Sequence, residues 1–418
     1  MTLLQQSAHA ASATWSATPT DGNWVTDNTE TNWSTGPNTY PGAIGTTTNA
    51  DIATFLTSSI TTISINSANL NIKGITFGAS GATPSSFTIG TTSGNSLLLS
   101  SGGQIQLSAS ITGTGVTETV NAPLILEPPS GTTAIAYSFQ NSSATASNTL
   151  VINGAVSGGS TSSITSTLTL SGANTGSNTV AGAISNGGSG ALRVTKSGNG
   201  TWSLSGTDAN TYSGRTTVSA GLLVLNKTAG VNAISSTGAA GGTAAAADVQ
   251  ITGGTLRLDA SNQIIDSAKI GLAGGTFALN GVNEGTQSTV GVGALSLSTN
   301  SIIDLANTSL LHVAASGNQT WAGTLSIYNW SGSKSGGAAE QLLFGTNDSS
   351  TSLTQTQLDS IRFYSDSGTT FLGTGTFAGL NDGEVVPVPE PSTWAAGLLA
   401  VAALGFTQRR RFARLLKA

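Results

Sequence analysis

Apolar residues in this chain alternate with polar ones over short segments, and stretches rich in glycine, serine, asparagine and threonine separate the segments. Between residues 51 and 155 the apolar segments are 62–65, 70–72, 75–77, 87–89, 97–99, 105–107 and 124–126. No window of this region sustains the apolar spacing of a helix. Alternation with a period of two turns one side of each segment toward a core, so we predict an all-β fold of short strands.

Strands this short suit a solenoid, in which the chain turns every few residues and each coil stacks on the next. The sequence Ile251-Thr-Gly-Gly-Thr-Leu-Arg-Leu258 recurs as Gly271-Leu-Ala-Gly-Gly-Thr-Phe-Ala-Leu279, which places Gly254 and Gly275 twenty-one residues apart. We therefore predict a right-handed parallel β-helix over residues 51–335, with about fourteen coils of about twenty residues and a length of about 70 Å. The inward apolar ladders of this body would include Leu256, Leu258, Phe277, Leu279, Leu295 and Leu297.

Three tryptophans stand out before this body. Trp15, Trp24 and Trp33 recur every nine residues, a spacing that fits neither a helix nor a single strand. One interpretation is an aromatic cap over residues 11–50 that closes the end of the core, as repeat proteins require. The alternative is an aromatic platform that binds a sugar. We favour the cap, and the alternative requires accessible rings.

Residues 336–386 differ from the repeating body and predict a second, C-terminal cap. A Ser352-x-x-Gln355 capping box lies at the start of a segment that carries Leu353, Leu358 and Ile361. This pattern predicts one short helix between residues 352 and 361.

The composition is poor in charge. Charged residues make up 8% of the chain, which has 54 glycines, no cysteine and a net charge of −5. Nine basic and eighteen acidic residues precede residue 389, and an acidic body argues against a nucleic-acid partner. Because cysteine is absent, stability must come from strand pairing and packing rather than from disulfides.

One part of the body resembles a known repeat. Residues 196–206 read Lys-Ser-Gly-Asn-Gly-Thr-Trp-Ser-Leu-Ser-Gly, and an Asn210-Thr-Tyr-Ser-Gly turn leads to Thr216-Thr-Val-Ser-Ala-Gly-Leu-Leu-Val-Leu225. This order resembles the autotransporter-associated β-strand repeat, most clearly over residues 194–226 and 249–279. Trp202 and Arg215 depart from the usual pattern without breaking the alternation. The resemblance implies the β-helical body of an exported, passenger-like surface protein, and we expect no membrane barrel.

The last segment, residues 387–418, is organised differently. Pro389-Glu390-Pro391 precedes thirteen uncharged residues from Trp394 to Phe406, and Arg409, Arg410 and Arg411 follow. This order resembles the PEP-CTERM sorting signal of Gram-negative bacteria. The resemblance implies recognition of the Pro-Glu-Pro motif by an exosortase and transient insertion of residues 394–411 into the inner membrane. The apolar helix would use Trp394, Leu398, Leu399, Val401, Leu404 and Phe406.

The predicted membrane helix is short. Thirteen residues at about 1.5 Å each reach about 20 Å, whereas the hydrocarbon core of a bilayer is about 30 Å thick. The arginines would stay on the cytoplasmic side, so we expect the body to be exported to the cell surface or the extracellular matrix.

Residues 1–10 contain Ala8-His9-Ala10, which matches the small-x-small pattern of a signal-peptidase site. Neither a basic segment nor an apolar segment of about 7–15 residues precedes it. Two interpretations stay open, a flexible start and the remnant of a signal peptide that begins upstream. We favour the remnant, because the other terminus implies export, and we expect the chain as numbered to be exported poorly.

Candidate catalytic residues are sparse. His312 lies in a strand pattern and is best interpreted as a structural residue, and Ser331-Gly-Ser-Lys334 has nucleophile spacing without the motifs that accompany it. Five acidic residues are spaced singly: Asp248, Asp259, Asp266, Glu284 and Asp304. A weak calcium site or an acid pair around Asp259 stays open, since stacking brings adjacent coils together. We predict no catalytic residue, cofactor or resident metal.

Three functions remain as hypotheses. The first is a non-enzymatic structural or adhesin-like surface protein with an extracellular polysaccharide as partner. The second is a carbohydrate-binding module, which would lose glycan binding when Trp15, Trp24 or Trp33 is replaced. The third is a polysaccharide-degrading β-helix enzyme, for which grouped carboxylates are the usual machinery.

Overall fold

The computed structural model describes residues 8–79, 84–127, 135–158, 165–236 and 247–388. Nearly all regular structure in these ranges is β, as predicted. The first strands are β1 Ala8–Ala10, β2 Ala13–Thr14, β3 Thr39–Pro41, β4 Ala43–Ile44, β5 Ile52–Phe55, β6 Thr62–Ile63, β7 Leu70–Phe77, β8 Thr88–Ile89, β9 Leu97–Leu107, β10 Thr117–Val120, β11 Leu124–Leu126, β12 Ile135–Asn141, β13 Thr149–Ile152, β14 Val156–Gly158, β15 Ser166–Gly172, β16 Asn178–Val180 and β17 Ile184–Ser185.

The second half of the described chain continues the same pattern and contains one short helix, α1 Gln355–Asp359. Its strands are β18 Leu192–Lys196, β19 Thr201–Gly206, β20 Thr216–Val218, β21 Leu222–Lys227, β22 Val249–Ile251, β23 Thr255–Leu258, β24 Ile270–Leu272, β25 Thr276–Leu279, β26 Asn283–Glu284, β27 Val292–Leu297, β28 Ser301–Asp304, β29 Leu310–Ala314, β30 Leu325–Tyr328, β31 Gln341–Phe344, β32 Ile361–Tyr364, β33 Phe371–Phe377 and β34 Val385–Val388.

Fourteen strands of the described ranges form one sheet, which we name face A. Its strands from β6 to β32 pair in parallel and in chain order. The two last strands, β33 and β34, extend it in antiparallel orientation. Face A consists of β6, β8, β10, β13, β16, β19, β21, β23, β25, β28, β30, β32, β33 and β34.

Two further parallel faces, B and C, lie beside face A, and face B ends at β17. Face B begins with the first halves of β7 and β9 and continues through β11, β14 and β17. Face C contains β5, the second halves of β7 and β9, and then β12, β15, β18, β20, β22, β24 and β27. As far as β18 the chain passes from face A to B to C and then to the next coil, and from β19 to β24 its strands alternate between face A and face C. This is the arrangement of a parallel β-solenoid. Its right-handed sense stays a prediction.

The coils are longer and more variable than the sequence suggested. The predicted offset of twenty-one residues holds between Leu256 and Phe277. It is 33 residues between Leu225 and Leu258, and 36 between Ile327 and Phe363. Loops at the corners absorb these insertions while the strands keep their register. Twelve of the fourteen strands of face A are parallel. The eleven spacings between them, at about 4.8 Å each, give the parallel part of the solenoid a length of about 53 Å.

The predicted apolar ladder is confirmed in its burial and corrected in its pairing. All six side chains are at most 1% exposed. Leu256 pairs with Phe277, and Leu258 with Leu279, on face A. Leu295 and Leu297 instead pair with Ile270 and Leu272 on face C. Each coil thus contributes to several ladders around one core. Burial of each leucine side chain stabilises the fold by roughly 1.5–3 kcal/mol.

Buried asparagines satisfy the backbone at one corner of the solenoid. The Asn141 side-chain amide donates to Asn178 Oδ1 at 2.6 Å and to the Asn148 carbonyl at 2.9 Å. Asn174 donates to the carbonyls of Ser143 and Thr145. Since a corner interrupts the strand ladder, these amides replace hydrogen bonds that the buried carbonyls would otherwise lose.

An aromatic cluster closes the N-terminal end of the core. Trp15 and Trp24 lie 5.0 Å and 5.1 Å from Trp33 between ring centroids, and all three rings contact Phe55. Each indole N–H donates to a backbone carbonyl at 2.8–3.0 Å. Ala8–Ala10, which resembles a cleavage site in sequence, pairs with Thr39–Pro41 as a strand.

Parallel pairing continues beyond residue 335, through β31 and β32. The predicted helix exists, but its capping box is formed by Thr354 and Gln357 rather than by Ser352 and Gln355. The reason is that the buried Ser352 accepts the Ser316 backbone N–H at its carbonyl, and the chain turns into the helix only after Thr354. β34 includes Pro387, so the folded body extends slightly into the segment assigned to sorting.

Candidate binding surface

The residues that the sequence assigns to sorting and membrane insertion, from Pro389 to Arg411, lie outside the described residues. The last described residue is Val388, which pairs with Thr374 in β33. In the described ranges, no helix has the length and apolarity that crossing a bilayer requires.

The tryptophans do not form a sugar platform. Trp15, Trp24 and Trp33 are 2%, 0% and 2% exposed, and their indole N–H groups are already engaged. A sugar has no ring face to stack on. This geometry contradicts the idea of glycan binding through these rings.

His312 is held as a structural residue. It is fully buried, and its Nδ1 and Nε2 atoms lie 2.7 Å from the carbonyl oxygens of Thr286 and Gly345. Ser331 is also engaged, because its hydroxyl and its backbone N–H donate to the two carboxylate oxygens of Glu340. The Ser331 hydroxyl thus donates to Glu340 and not to Lys334, the residue that the Ser-x-x-Lys spacing would make its base.

Of the five singly spaced carboxylates, Asp266 and Glu284 lie close enough to interact: burial raises the pKa of Glu284, and the Asp266 charge raises it further. Asp259 forms an ion pair of 2.7 Å with Arg257, and its neighbour on the next coil is Asn280. Glu284 accepts the backbone N–H groups of Gln263 and Ile264. The acid pair around Asp259 is therefore not formed. Among the described residues, no group of three or more histidines and carboxylates is placed to hold a metal ion.

Several buried ionisable side chains escaped the sequence interpretation, among them Glu118 and Lys196. Glu118 is fully buried, and burial raises its pKa to about 8, although a hydrogen bond from the Phe87 N–H partly opposes this effect. Burial lowers the pKa of Lys196 to about 8. Its ammonium group donates to three carbonyls, those of Ser197, Gly198 and Ala220. The sequence pattern already indicated that Glu118 is buried, because it lies two residues before Val120, and residues i and i+2 of a strand point to the same side.

The outward side chains of face C are mostly hydroxyls and amides. Ser138, Thr169, Thr195 and Thr217 occupy equivalent positions on successive coils, with Gln104 and Gln250 at the two ends of the row. Parallel pairing separates such neighbours by about 4.8 Å. This row is therefore regular, polar and uncharged.

Two grooves open on the surface of the solenoid. One has a volume of about 460 Å³ and is lined by residues 62–66, 90, 91 and 93–95. The other has a volume of about 520 Å³ and is lined by Lys269, residues 296–298 and residues 318–320. Their polar lining consists of hydroxyls and amides, and Lys269 is the single ionisable side chain. Such grooves suit the binding of hydroxylated molecules, whereas acid–base catalysis needs groups that exchange protons.

The comparisons with known proteins single out one segment. Residues 194–225 match the family model of the passenger-associated-transport-repeat. In the structure this segment covers the end of β18 and all of β19 and β20, and it reaches into β21. No curated protein and no solved structure matches the chain. The repeat match, together with the parallel solenoid, supports an exported, surface-exposed protein that resembles the passenger part of autotransporters.

Proposed function

We propose that this chain is a non-enzymatic structural protein of the bacterial cell surface or extracellular matrix, with an extracellular polysaccharide as its partner. The repeat match within a continuous parallel solenoid carries the proposal. The polar outward rows and the two grooves support a sugar polymer as partner, because hydroxyls and amides exchange hydrogen bonds with sugars.

Sorting by an exosortase is the second part of the proposal. Pro389, Glu390 and Pro391 would be the recognised motif, and residues 394–411 would hold the protein transiently in the inner membrane through an apolar helix. Support comes from the order of motif, apolar stretch and arginines. The described body reaches its antiparallel end at Val388, immediately before this motif.

Deletion of residues 389–418 tests the sorting function. We expect the truncated protein to keep its melting temperature, because the described strands end at Val388, and to leave the inner-membrane fraction of a host that has an exosortase. Glu390→Gln serves as the matched variant, since it changes the motif and keeps the apolar segment. Intact mass should show wild-type protein without residues 394–418 and uncleaved Glu390→Gln protein. Full-length wild-type protein that persists in the membrane would indicate a plain anchor.

A depolymerisation assay tests the non-enzymatic function. The full chain is incubated with acidic and neutral polysaccharides, and polymer length is followed by size-exclusion chromatography. We expect no shortening, because the Asp259 carboxylate is engaged by Arg257 and the Glu284 carboxylate by two backbone N–H groups. Shortening that is lost in Asp259→Asn or Asp304→Asn would favour the β-helix enzyme instead.

A further inference from the structure

Three basic side chains line up on one face of an acidic body. Nine basic residues precede residue 389. Three of them, Arg193, Arg215 and Lys269, occupy the same position at the start of face C in nearby coils. On successive coils, Val194 pairs with Thr216, Thr216 with Val249, and Val249 with Ile270. The residue that precedes each of these four in the chain therefore lies above the one on the next coil. We name Arg193, Arg215, Asp248 and Lys269 the charged column.

Backbone hydrogen bonds connect the members of the charged column. The Val194 N–H donates to the Arg215 carbonyl at 3.2 Å, and the Thr216 N–H donates to the Asp248 carbonyl at 2.9 Å. The Asp248 N–H donates to the Lys269 carbonyl at 2.9 Å. Four successive coils therefore carry a positive, a positive, a negative and a positive side chain at this position. Three spacings of about 4.8 Å separate the first from the last, so the column is about 14 Å long.

Asp248 moderates this column without cancelling it. Its side chain is 4% exposed, whereas Arg193, Arg215 and Lys269 are partly exposed. Its Oδ2 atom accepts the Lys269 backbone N–H at 2.8 Å. One buried carboxylate against three outward cations leaves a net charge of +2, and the buried charge is the one that a ligand in solvent meets least.

The surface beside the column is polar and grooved. Two residues further along the strands, the next outward row contains Thr195, Thr217 and Gln250. Lys269 also lines the groove of about 520 Å³, together with Ser296, Asn318 and Gln319. Cations, hydroxyls and a groove thus follow one line parallel to the solenoid axis.

We propose that the charged column and its neighbouring groove bind a linear acidic polysaccharide that lies along the solenoid axis. This inference rests on the proposed function and specifies its partner. Charge complementarity selects the class, because a repeating carboxylate polymer meets a cation on three of four coils, while the rest of the body is acidic and repels it. The hydroxyl and amide row provides partners for the sugar hydroxyls.

Binding of polygalacturonate to the full chain, with dextran of similar length as the neutral control, tests the proposal. Arg193→Gln and Lys269→Gln should each weaken binding about threefold to tenfold at low ionic strength, and the effect should shrink at high salt. Asp248→Asn should strengthen binding by a similar factor, because it removes the single negative charge of the column. Arg257→Gln is the matched control, since this arginine lies on face A in an ion pair with Asp259.

Binding to any polysaccharide and binding of an acidic polysaccharide at the charged column can be told apart by these measurements. Asp248→Asn is nearly isosteric, so it tests the column even if a cation variant fails to fold. Equal binding of both polymers, unaffected by these variants, would overturn the acidic class and keep a polysaccharide partner. No binding of either polymer would overturn the polysaccharide partner itself. Duplex DNA that binds as tightly as polygalacturonate and competes with it would overturn the assignment to a glycan.

Discussion

Leu258→Asp is expected to unfold the middle of the solenoid. Leu258 is fully buried on face A, between Leu225 on one coil and Leu279 on the next. The substitution removes apolar contacts on both sides and leaves a carboxylate without a partner in the core. These effects together cost on the order of 5 kcal/mol. Urea unfolding followed by circular dichroism measures the loss in the free energy of unfolding.

Thr255→Asp is the control for this prediction. Thr255 lies on the same strand as Leu258, but its side chain points outward and is partly exposed. The new carboxylate stays in water there, so the free energy of unfolding should change by less than about 1 kcal/mol. Equal losses from the two variants would mean that the strand does not present these two faces as described.

Glu118→Gln is expected to flatten the pH dependence of stability. Burial raises the pKa of Glu118 from its ordinary value of 4.5 to about 8 in the folded protein. Between these values the unfolded chain releases a proton that the folded chain retains, so stability falls as pH rises from 4.5 to 8. The loss from this group is roughly 4–5 kcal/mol as an upper bound. Glutamine resembles the protonated acid and carries no charge to bury.

The measurement is the free energy of unfolding between pH 4.5 and pH 8 for wild type and Glu118→Gln. The variant should gain stability relative to wild type as pH rises, with the largest difference at pH 8. Asp359→Asn, a change at an exposed carboxylate, serves as the control and should follow the wild-type curve. Parallel curves for wild type and Glu118→Gln would mean that Glu118 is ionised and solvated in the folded protein.

Other carboxyl groups also contribute to the dependence of the free energy of unfolding on pH. Burial also raises the pKa of Glu284 to about 8, so part of the decline should remain in Glu118→Gln. Hydrogen bonds from Thr370 and Thr369 hold the pKa of Asp366 well below its ordinary value. The stability from Asp366 is present above that ordinary value and is lost as pH falls below it. Wild-type stability should therefore be greatest in mildly acidic solution.

The alternation of residues along the chain was enough to locate the strands and the core. Segments such as 97–99 and 124–126 are strands in the structure, and the predicted ladder residues are buried. This works because side chains i and i+2 share one face of a strand whatever the neighbouring strand is. The same rule, applied to Glu118, would have shown that an acidic side chain faces the core.

The pairing of coils depended on the tertiary structure. Leu295 resembles Leu256 in its local sequence, yet it pairs with Ile270 on face C. Arg193, Arg215, Asp248 and Lys269 are 22, 33 and 21 residues apart, so no constant period connects them. Corner loops of different lengths bring them into one column, because parallel register is set by how each coil closes and packs on the previous one. Local sequence determines which side chains face out, and only the stacked coils determine which of them become neighbours.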